Sequence, residues 1–229
     1  MIPPTLEFSK INRANLDNYI VKGIWSGHNA KAELKVIELS GKRFVVKDFS
    51  GKGILSRSGI AKLLIKREYK IYSLLKGIKG IPEVYHKIDD EAFIMEYIDA
   101  KPLKDFYRDL VPPIFVTRLE KLVKDMHQRG VIHLDLHQRR NILVTADWKP
   151  YLLDFATSIY FGTSAFAQEV LVPIFSIFDS GGIFKIKKWH APSTFTSVER
   201  RNLRIMEKFR RLWIFTPVHI SKRKPPEAE

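Results

Sequence analysis

Apolar and polar residues alternate with period two in the first part of the 229-residue chain and switch to helical spacing further on. Three runs rich in β-branched and aromatic residues, 19–24, 32–39 and 43–49, predict strands, and Ser40-Gly41-Lys42 separates the last two as a hairpin turn would. Alternation in the third run puts Val45, Lys47 and Phe49 on one face and Phe44, Val46 and Asp48 on the other, so Lys47 shares its face with two apolar side chains. From about 58 to 76 the period becomes helical and stops at Gly77, with Pro82 shortly beyond. Leu64, Glu68, Ile71 and Leu75 form one stripe of that helix, which leaves Glu68 as a carboxylate in an apolar row. A buried, unpaired carboxylate is costly, and Lys47 has the complementary problem, so the two are expected to pair. Two more strands, 83–87 and 91–97, would complete a five-stranded antiparallel sheet, with Met95-Glu96-Tyr97-Ile98 at its exit.

Positions 113–129 predict a second helix, with Phe115, Leu119, Leu122 and Met126 on one face and Gly130 closing it. The richest segment follows: Val131-Ile132-His133-Leu134-Asp135-Leu136-His137-Gln138-Arg139-Arg140-Asn141-Ile142-Leu143-Val144, a short turn, and Tyr151-Leu152-Leu153-Asp154-Phe155-Ala156. Apolar residues flank each polar cluster. His133, Asp135, Asn141 and Asp154 are therefore expected where buried strands surface into short loops, a placement that makes polar groups converge. Phosphoryl transfer needs one carboxylate to orient a hydroxyl and accept its proton, and an amide plus a second carboxylate to hold magnesium against nucleotide phosphates. Asp135, Asn141 and Asp154 supply those groups in that order. A lysine held by a helix glutamate, as Lys47 by Glu68, is the matching phosphate grip.

On these residues the chain resembles the protein-kinase-like phosphotransferases. His133-Leu134-Asp135 with Asn141 resembles their catalytic loop, Asp154-Phe155-Ala156 their metal-binding motif and Val45-Val46-Lys47 their third-strand lysine, over about 19–159. More narrowly, Val45-Val46-Lys47-Asp48-Phe49, Arg67-Glu68 and His133-Leu134-Asp135-Leu136-His137 resemble small bacterial kinases of the lipopolysaccharide core, which act on Kdo or heptose and are relatives of the RIO-type kinases. The resemblance implies a two-lobed α+β fold: an N-lobe at 1–97 with the sheet and the Glu68 helix, a compact helical C-lobe at 98–220, and a flexible tail at 221–229. It implies ATP and Mg2+, with Lys47, Glu68 and Asp135 catalytic and Asn141 and Asp154 on the metal. Gly23 and Gly27 would border the phosphates, and Glu96 and Ile98 the adenine. The acceptor it puts first is a sugar hydroxyl of a lipopolysaccharide core glycolipid; the alternatives are a protein Ser or Thr, as for a RIO-like kinase, or a pseudokinase that only binds. Three departures stand out. Asn141 is six positions after Asp135 where the family motif has five, Ala156 stands in place of glycine, and Gly23-Ile24-Trp25-Ser26-Gly27 keeps only two glycines of the phosphate loop.

A metal-hydrolase reading of His133 and His137 needs both on one helix face, and their β-branched, apolar surroundings argue for strand and loop. Composition narrows the rest. With no cysteine, a disulfide framework, a thiolate zinc site and a cysteine nucleophile are excluded. The net charge of +14 calls for an anionic partner, and it is concentrated: 185–224 holds twelve Lys and Arg against Glu199 and Glu207. There Thr196 and Glu199 read as a capping box opening a helix to about Trp213. Val198, Met206, Phe209 and Trp213 recur at helical spacing among Arg200, Arg201, Arg204, Lys208 and Arg211. This basic amphipathic helix reads as an ordinary surface helix and, with Trp189, Trp213 and Phe215, as a contact with an anionic membrane surface, two readings that can hold together. No nucleic-acid motif accompanies it. The longest uncharged run, 155–168, has fourteen residues, short of the roughly 20 a membrane span needs. Without a signal-peptide pattern in 1–10, the expected setting is the cytoplasm, at the periphery of the inner membrane.

Overall fold

The computed structural model describes residues 8–25, 32–50, 60–107 and 110–212. Gly27, Trp213, Phe215 and the 221–229 tail lie outside them. Strands β1 (Ile20–Trp25), β2 (Glu33–Leu39), β3 (Lys42–Asp48), β4 (Val84–Lys87) and β5 (Ala92–Glu96) form the expected antiparallel sheet in the order β1-β2-β3-β5-β4. Helix α1 (Ile60–Leu74) packs on one face, where Ile65, Ile71, Tyr72 and Leu75 meet Phe93 and Met95. The other face carries Phe44, Val46, Ala92 and Ile94 and is covered by Phe8, Ile11 and Leu16 of the N-terminal segment. Phe8 stacks on Tyr85 at 5.1 Å and meets Phe44 edge-on at 4.8 Å. The centre of the sheet, β3 and β5, is thus buried on both sides, while the edge strand β1 is exposed at 21–23.

Arg13 fastens this N-terminal cover. Its guanidinium lies 2.6 Å from Asp48 and 2.7 Å from Asp89, at the ends of β3 and of the β4–β5 turn. Burial would raise the Asp48 carboxyl, but hydrogen bonds from Arg13 and Ser50 outweigh it and hold Asp48 below the usual range. A depressed folded-state pKa gives stability that is complete above the ordinary Asp value of about 4 and is lost as pH falls through the lower folded value. Arg13→Ala should therefore be less stable than wild type near neutrality, with the difference closing in acid; urea unfolding at a series of pH values measures it.

Helix α2 (Pro113–Gln128) buries Phe115, Leu119, Leu122 and Met126, as its periodicity requires. Strand β6 (Ala100–Pro102) precedes this helix and pairs with β8 (Ile142–Thr145), which pairs with β9 (Pro150–Leu152), while β7 (Val131–Ile132) pairs with β10 (Ile159–Tyr160). One core joins α1 and β5 to α2, β8 and β9. A π-helical turn, Ala167–Leu171, leads into α3 (Val172–His190), which no sequence pattern announced. Helix α4 (Ser197–Leu212) opens with the expected capping box: Glu199 N–H donates to Thr196 Oγ1 at 3.2 Å, and Thr196 N–H donates to Glu199 Oε2 at 2.8 Å. Its packed face matches the expected stripe at Met206 and departs from it at Val198. Val198 is 56% exposed, whereas Leu203 is buried and Met206 packs over Gly181 of α3. Glu199 turns inward to Lys187 at 2.6 Å, so a charge pair starts the seam that Val198 was expected to start. Among the described residues, no helix is long and apolar enough to cross a membrane.

Candidate active site

Lys47 and Glu68 meet as their shared anomaly demands. Lys47 Nζ lies 2.7 Å from Glu68 Oε1 and 3.0 Å from Asp154 Oδ1. Strand β3 fixes Lys47 between β2 and β5, and the buried stripe of α1 fixes Glu68, which has no solvent exposure. Burial alone would lower the Lys47 pKa; two carboxylates outweigh it and keep the ammonium charged. Burial raises the Glu68 carboxyl. Asp154 is held low, chiefly by the charge of Lys47, and its side chain is 44% exposed, so an ionised carboxylate faces solvent.

Three links orient Asp154. Phe155 N–H donates to Glu68 Oε1 at 3.1 Å, Asp154 N–H donates to the Tyr72 hydroxyl at 3.3 Å, and the Tyr72 and Phe155 rings meet edge-on at 4.9 Å. Arg67 adds a hydrogen bond from its guanidinium to the Ser158 carbonyl. Asp154 itself takes the left-handed backbone, φ 68°, and Phe155–Thr157 form a 3-10 turn. Ala156 is thereby explained: the left-handed residue is Asp154, so position 156 does not need glycine.

The β8–β9 hairpin brings the second half of the site to the first. Asn141 immediately precedes β8, Asp154 follows β9 by two residues, and Leu153 N–H donates to the Asn141 carbonyl at 2.8 Å. His133 is buried and braces both strands' ends: Nε2 bonds the Leu153 carbonyl at 3.0 Å, and Nδ1 accepts from Asp135 N–H at 3.3 Å. Since Nδ1 accepts, the proton sits on Nε2. Asp135 shares a hydrogen bond with Asn141, Nδ2 to Oδ2, at 2.9 Å. The spare residue between them is absorbed by the 3-10 turn Arg139–Asn141.

Asp179 is the residue that sequence reasoning missed. It projects from α3, fully buried, and its two oxygens accept from Leu134 N–H at 2.8 Å and His133 N–H at 2.9 Å, with His127 Nε2 also at 2.9 Å. Leu134 has φ 66°, a strained conformation for a branched side chain, and this carboxylate is what holds it. One turn along α3, Gly182 lies against the same loop: a Cβ there would come within 2.8 Å of Leu136 Cβ. Asp179 and Gly182 at i and i+3 form a seat for the catalytic loop, and a lone acid next to a glycine pair was the only trace of it in the sequence.

The remaining expected residues are more scattered. Glu96 ends β5, where its carboxylate accepts from Glu83 N–H at 3.2 Å, and Ile98 is half-buried between β5 and β6. Gly23 is exposed in β1 with open space around it, and its companion Gly27 is outside the described residues.

Among the described residues no three acidic or histidine side chains gather to cage a metal. Magnesium does not require such a cage: it uses one or two carboxylates and fills its other positions with water and substrate phosphates. One carboxylate, Asp154, and one amide oxygen, that of Asn141, at the same end of a hairpin fit that demand.

A family model for the RIO domain matches residues 36–171. The chain is 28% identical over 170 residues to the serine/threonine-protein kinase cds1 of Schizosaccharomyces pombe, covering 69% of this chain and 36% of that protein. It is 30% identical over 138 residues to a probable SapB synthase of Streptomyces coelicolor, covering 51% of this chain and 15% of that one. It thus spans about a third or less of these relatives' lengths. Among solved structures, the Rio2 kinase of Chaetomium thermophilum, described as an ADP/Mg2+-phosphoaspartate complex, superposes with a TM-score of 0.56 at 16% identity, over 87% of this chain and 74% of that one. The fold is protein-kinase-like.

Proposed function

The chain belongs to the RIO domain family, and on that basis we propose that it is an ATP- and magnesium-dependent kinase that phosphorylates a protein Ser or Thr hydroxyl. The observation that carries this reading is the joined arrangement Lys47–Glu68–Asp154 and Asp135–Asn141, one cation, three carboxylates and one amide around a single loop and hairpin. Lys47, kept protonated by Glu68, would grip the nucleotide phosphates; Asp135 would orient the acceptor hydroxyl and take its proton; Asn141 and Asp154 would hold magnesium. Bound Mg-ATP supplies the phosphoryl group and neutralises its charge. Glu96 and Ile98, between the sheet and β6, would border the adenine.

The motif resemblance favoured a lipopolysaccharide sugar as acceptor. The RIO family match and the kinase relative support the protein-kinase alternative better, and the expected placement at the inner membrane finds no support beside it. We keep a cytoplasmic setting, where ATP is available. With Lys47, Glu68, Asp135 and Asp154 all in place, we favour an active enzyme over a pseudokinase. Arg200, Arg201 and Arg204, exposed on α4, are the part of the basic surplus we assign to an anionic surface of the acceptor, a contact that salt should weaken.

Nucleotide binding is the first test. Mg-ATP at 100 times its dissociation constant should stabilise the protein by about 2.7 kcal/mol, read as a rise in melting temperature. Asp154→Asn should lose most of the magnesium-dependent part of that rise. An unchanged melting temperature at millimolar Mg-ATP contradicts the reading.

A further inference from the structure

The carboxylate of Asp135 is crowded by its own loop. Gln138 Nε2 donates to both oxygens, at 2.8 Å to Oδ1 and 2.6 Å to Oδ2; Asn141 Nδ2 donates to Oδ2 at 2.9 Å; His137 Nδ1 stands 3.3 Å from Oδ1. Three donated hydrogen bonds fill three of the roughly four lone-pair sites of a carboxylate and His137 stands beside Oδ1, so an acceptor hydroxyl meets a crowded Asp135 and gains room when one of these partners withdraws.

The partners differ in how firmly they are held. Asn141 is 3% exposed, and its amide also bonds the Asp135 carbonyl at 3.3 Å. Gln138 is anchored through its backbone, donating to the Asp135 carbonyl at 3.2 Å and accepting from Asn141 N–H at 2.9 Å. Its side chain is half-buried, and among the described residues its amide makes no hydrogen bond other than those to Asp135. A fixed backbone with a singly tethered amide can swing off the carboxylate without disturbing the loop. The six-residue spacing from Asp135 to Asn141 also gives this meaning: the turn that absorbs the spare residue is the one that returns the Gln138 side chain over Asp135.

We propose that Gln138 is a positioning residue that covers the catalytic carboxylate until an acceptor arrives, and so keeps water from serving as the acceptor. The inference rests on the kinase reading above. In the productive reaction the acceptor hydroxyl displaces the Gln138 amide. Its oxygen forms the bond to the γ-phosphorus, the bond from that phosphorus to the bridging oxygen of ADP breaks, its proton passes to Asp135, and ADP leaves. If water reaches Asp135 instead, the same bonds change and the products are ADP, inorganic phosphate and a proton.

The test measures ADP formation from Mg-ATP by the full chain without acceptor, for wild type, Gln138→Ala and Gln138→Glu, with Mg-ATP thermal shifts on all three. Gln138→Ala should raise acceptor-independent hydrolysis by about tenfold, the scale of one charge-assisted hydrogen bond. Gln138→Glu, nearly isosteric, sets a second carboxylate against Asp135. With no amide to donate, Gln138→Glu should likewise raise acceptor-independent hydrolysis relative to transfer. A purely structural role would lower hydrolysis and transfer in proportion, with no change in their ratio, and that result overturns the inference. Wild-type binding and transfer with no rise in Gln138→Ala hydrolysis overturns the gate alone. Absence of any Mg-ATP shift or ADP formation in all three proteins removes the kinase reading and the gate with it.

Discussion

Lys47→Met should abolish most phosphoryl transfer and also destabilise the fold. Activity should fall on the order of a hundredfold or more, the usual cost of removing one preorganised charge from a transferring group. Stability falls because Glu68, with no solvent exposure, loses its nearest cation. Removing one member of a buried pair costs about 3–5 kcal/mol, which in a chain of this size lowers the melting temperature by roughly 6–12 °C at the lower figure. Glu68 can relieve part of this by taking a proton, since burial already pushes its pKa up. A carboxyl whose folded pKa is raised is penalised above that value and unpenalised below the ordinary Glu value of about 4.3. The charge part of the Lys47→Met penalty should therefore fade as pH is lowered. The double variant Lys47→Met/Glu68→Gln should recover stability near neutrality but not activity, which separates the two losses in one set of melting curves and assays.

Asp179→Ala is expected to be the most damaging change away from the nucleotide groups. It leaves the backbone N–H groups of His133 and Leu134 and the ring of His127 without their acceptor, and each buried orphan costs about 1–3 kcal/mol. It also frees Leu134 from a left-handed conformation worth about 1–2 kcal/mol in strain, so the loop should relax away from the geometry that presents Asp135. Transfer should fall through kcat with the KM for ATP little changed, because Lys47 and Glu68 are held by β3 and α1. Asp179→Asn, keeping one acceptor oxygen, should lie between. Urea unfolding and steady-state kinetics measure both effects.

How legible these features were follows from how each residue relates to its element's pattern. Lys47 and Glu68 could be paired from sequence because each breaks an otherwise regular apolar stripe, and two breaks of opposite charge explain one another. Asp135, Asn141 and Asp154 were legible because apolar strands bracket them within a short span. Helix α3 was hidden for the opposite reason. It is apolar nearly all round, with Ile174, Ile177 and Phe178 exposed as well as Ile183 and Ile186 buried, so no single face stands out. Pro173 and the Gly181-Gly182 pair also argue against a helix by propensity. Pro173 is tolerated in the first turn, and the two glycines admit Met206 on one side and the catalytic loop on the other. Asp179 was invisible with its helix. The N-terminal cover went unread because Phe8, Ile11 and Leu16 follow no strand or helix period over so short a stretch. Gln138 carried no signal at all until the loop closed on Asp135.

The most direct measurement is transfer of label from γ-labelled ATP, with and without Mg2+, to protein acceptors and to rough-type lipopolysaccharide, by wild type and Asp135→Asn. The account predicts magnesium-dependent label on protein Ser or Thr, reduced by about a thousandfold or more in the variant, in line with removal of an acid–base group that also orients the nucleophile. Equal labelling by Asp135→Asn, or label that appears on the glycolipid and not on protein, would contradict it.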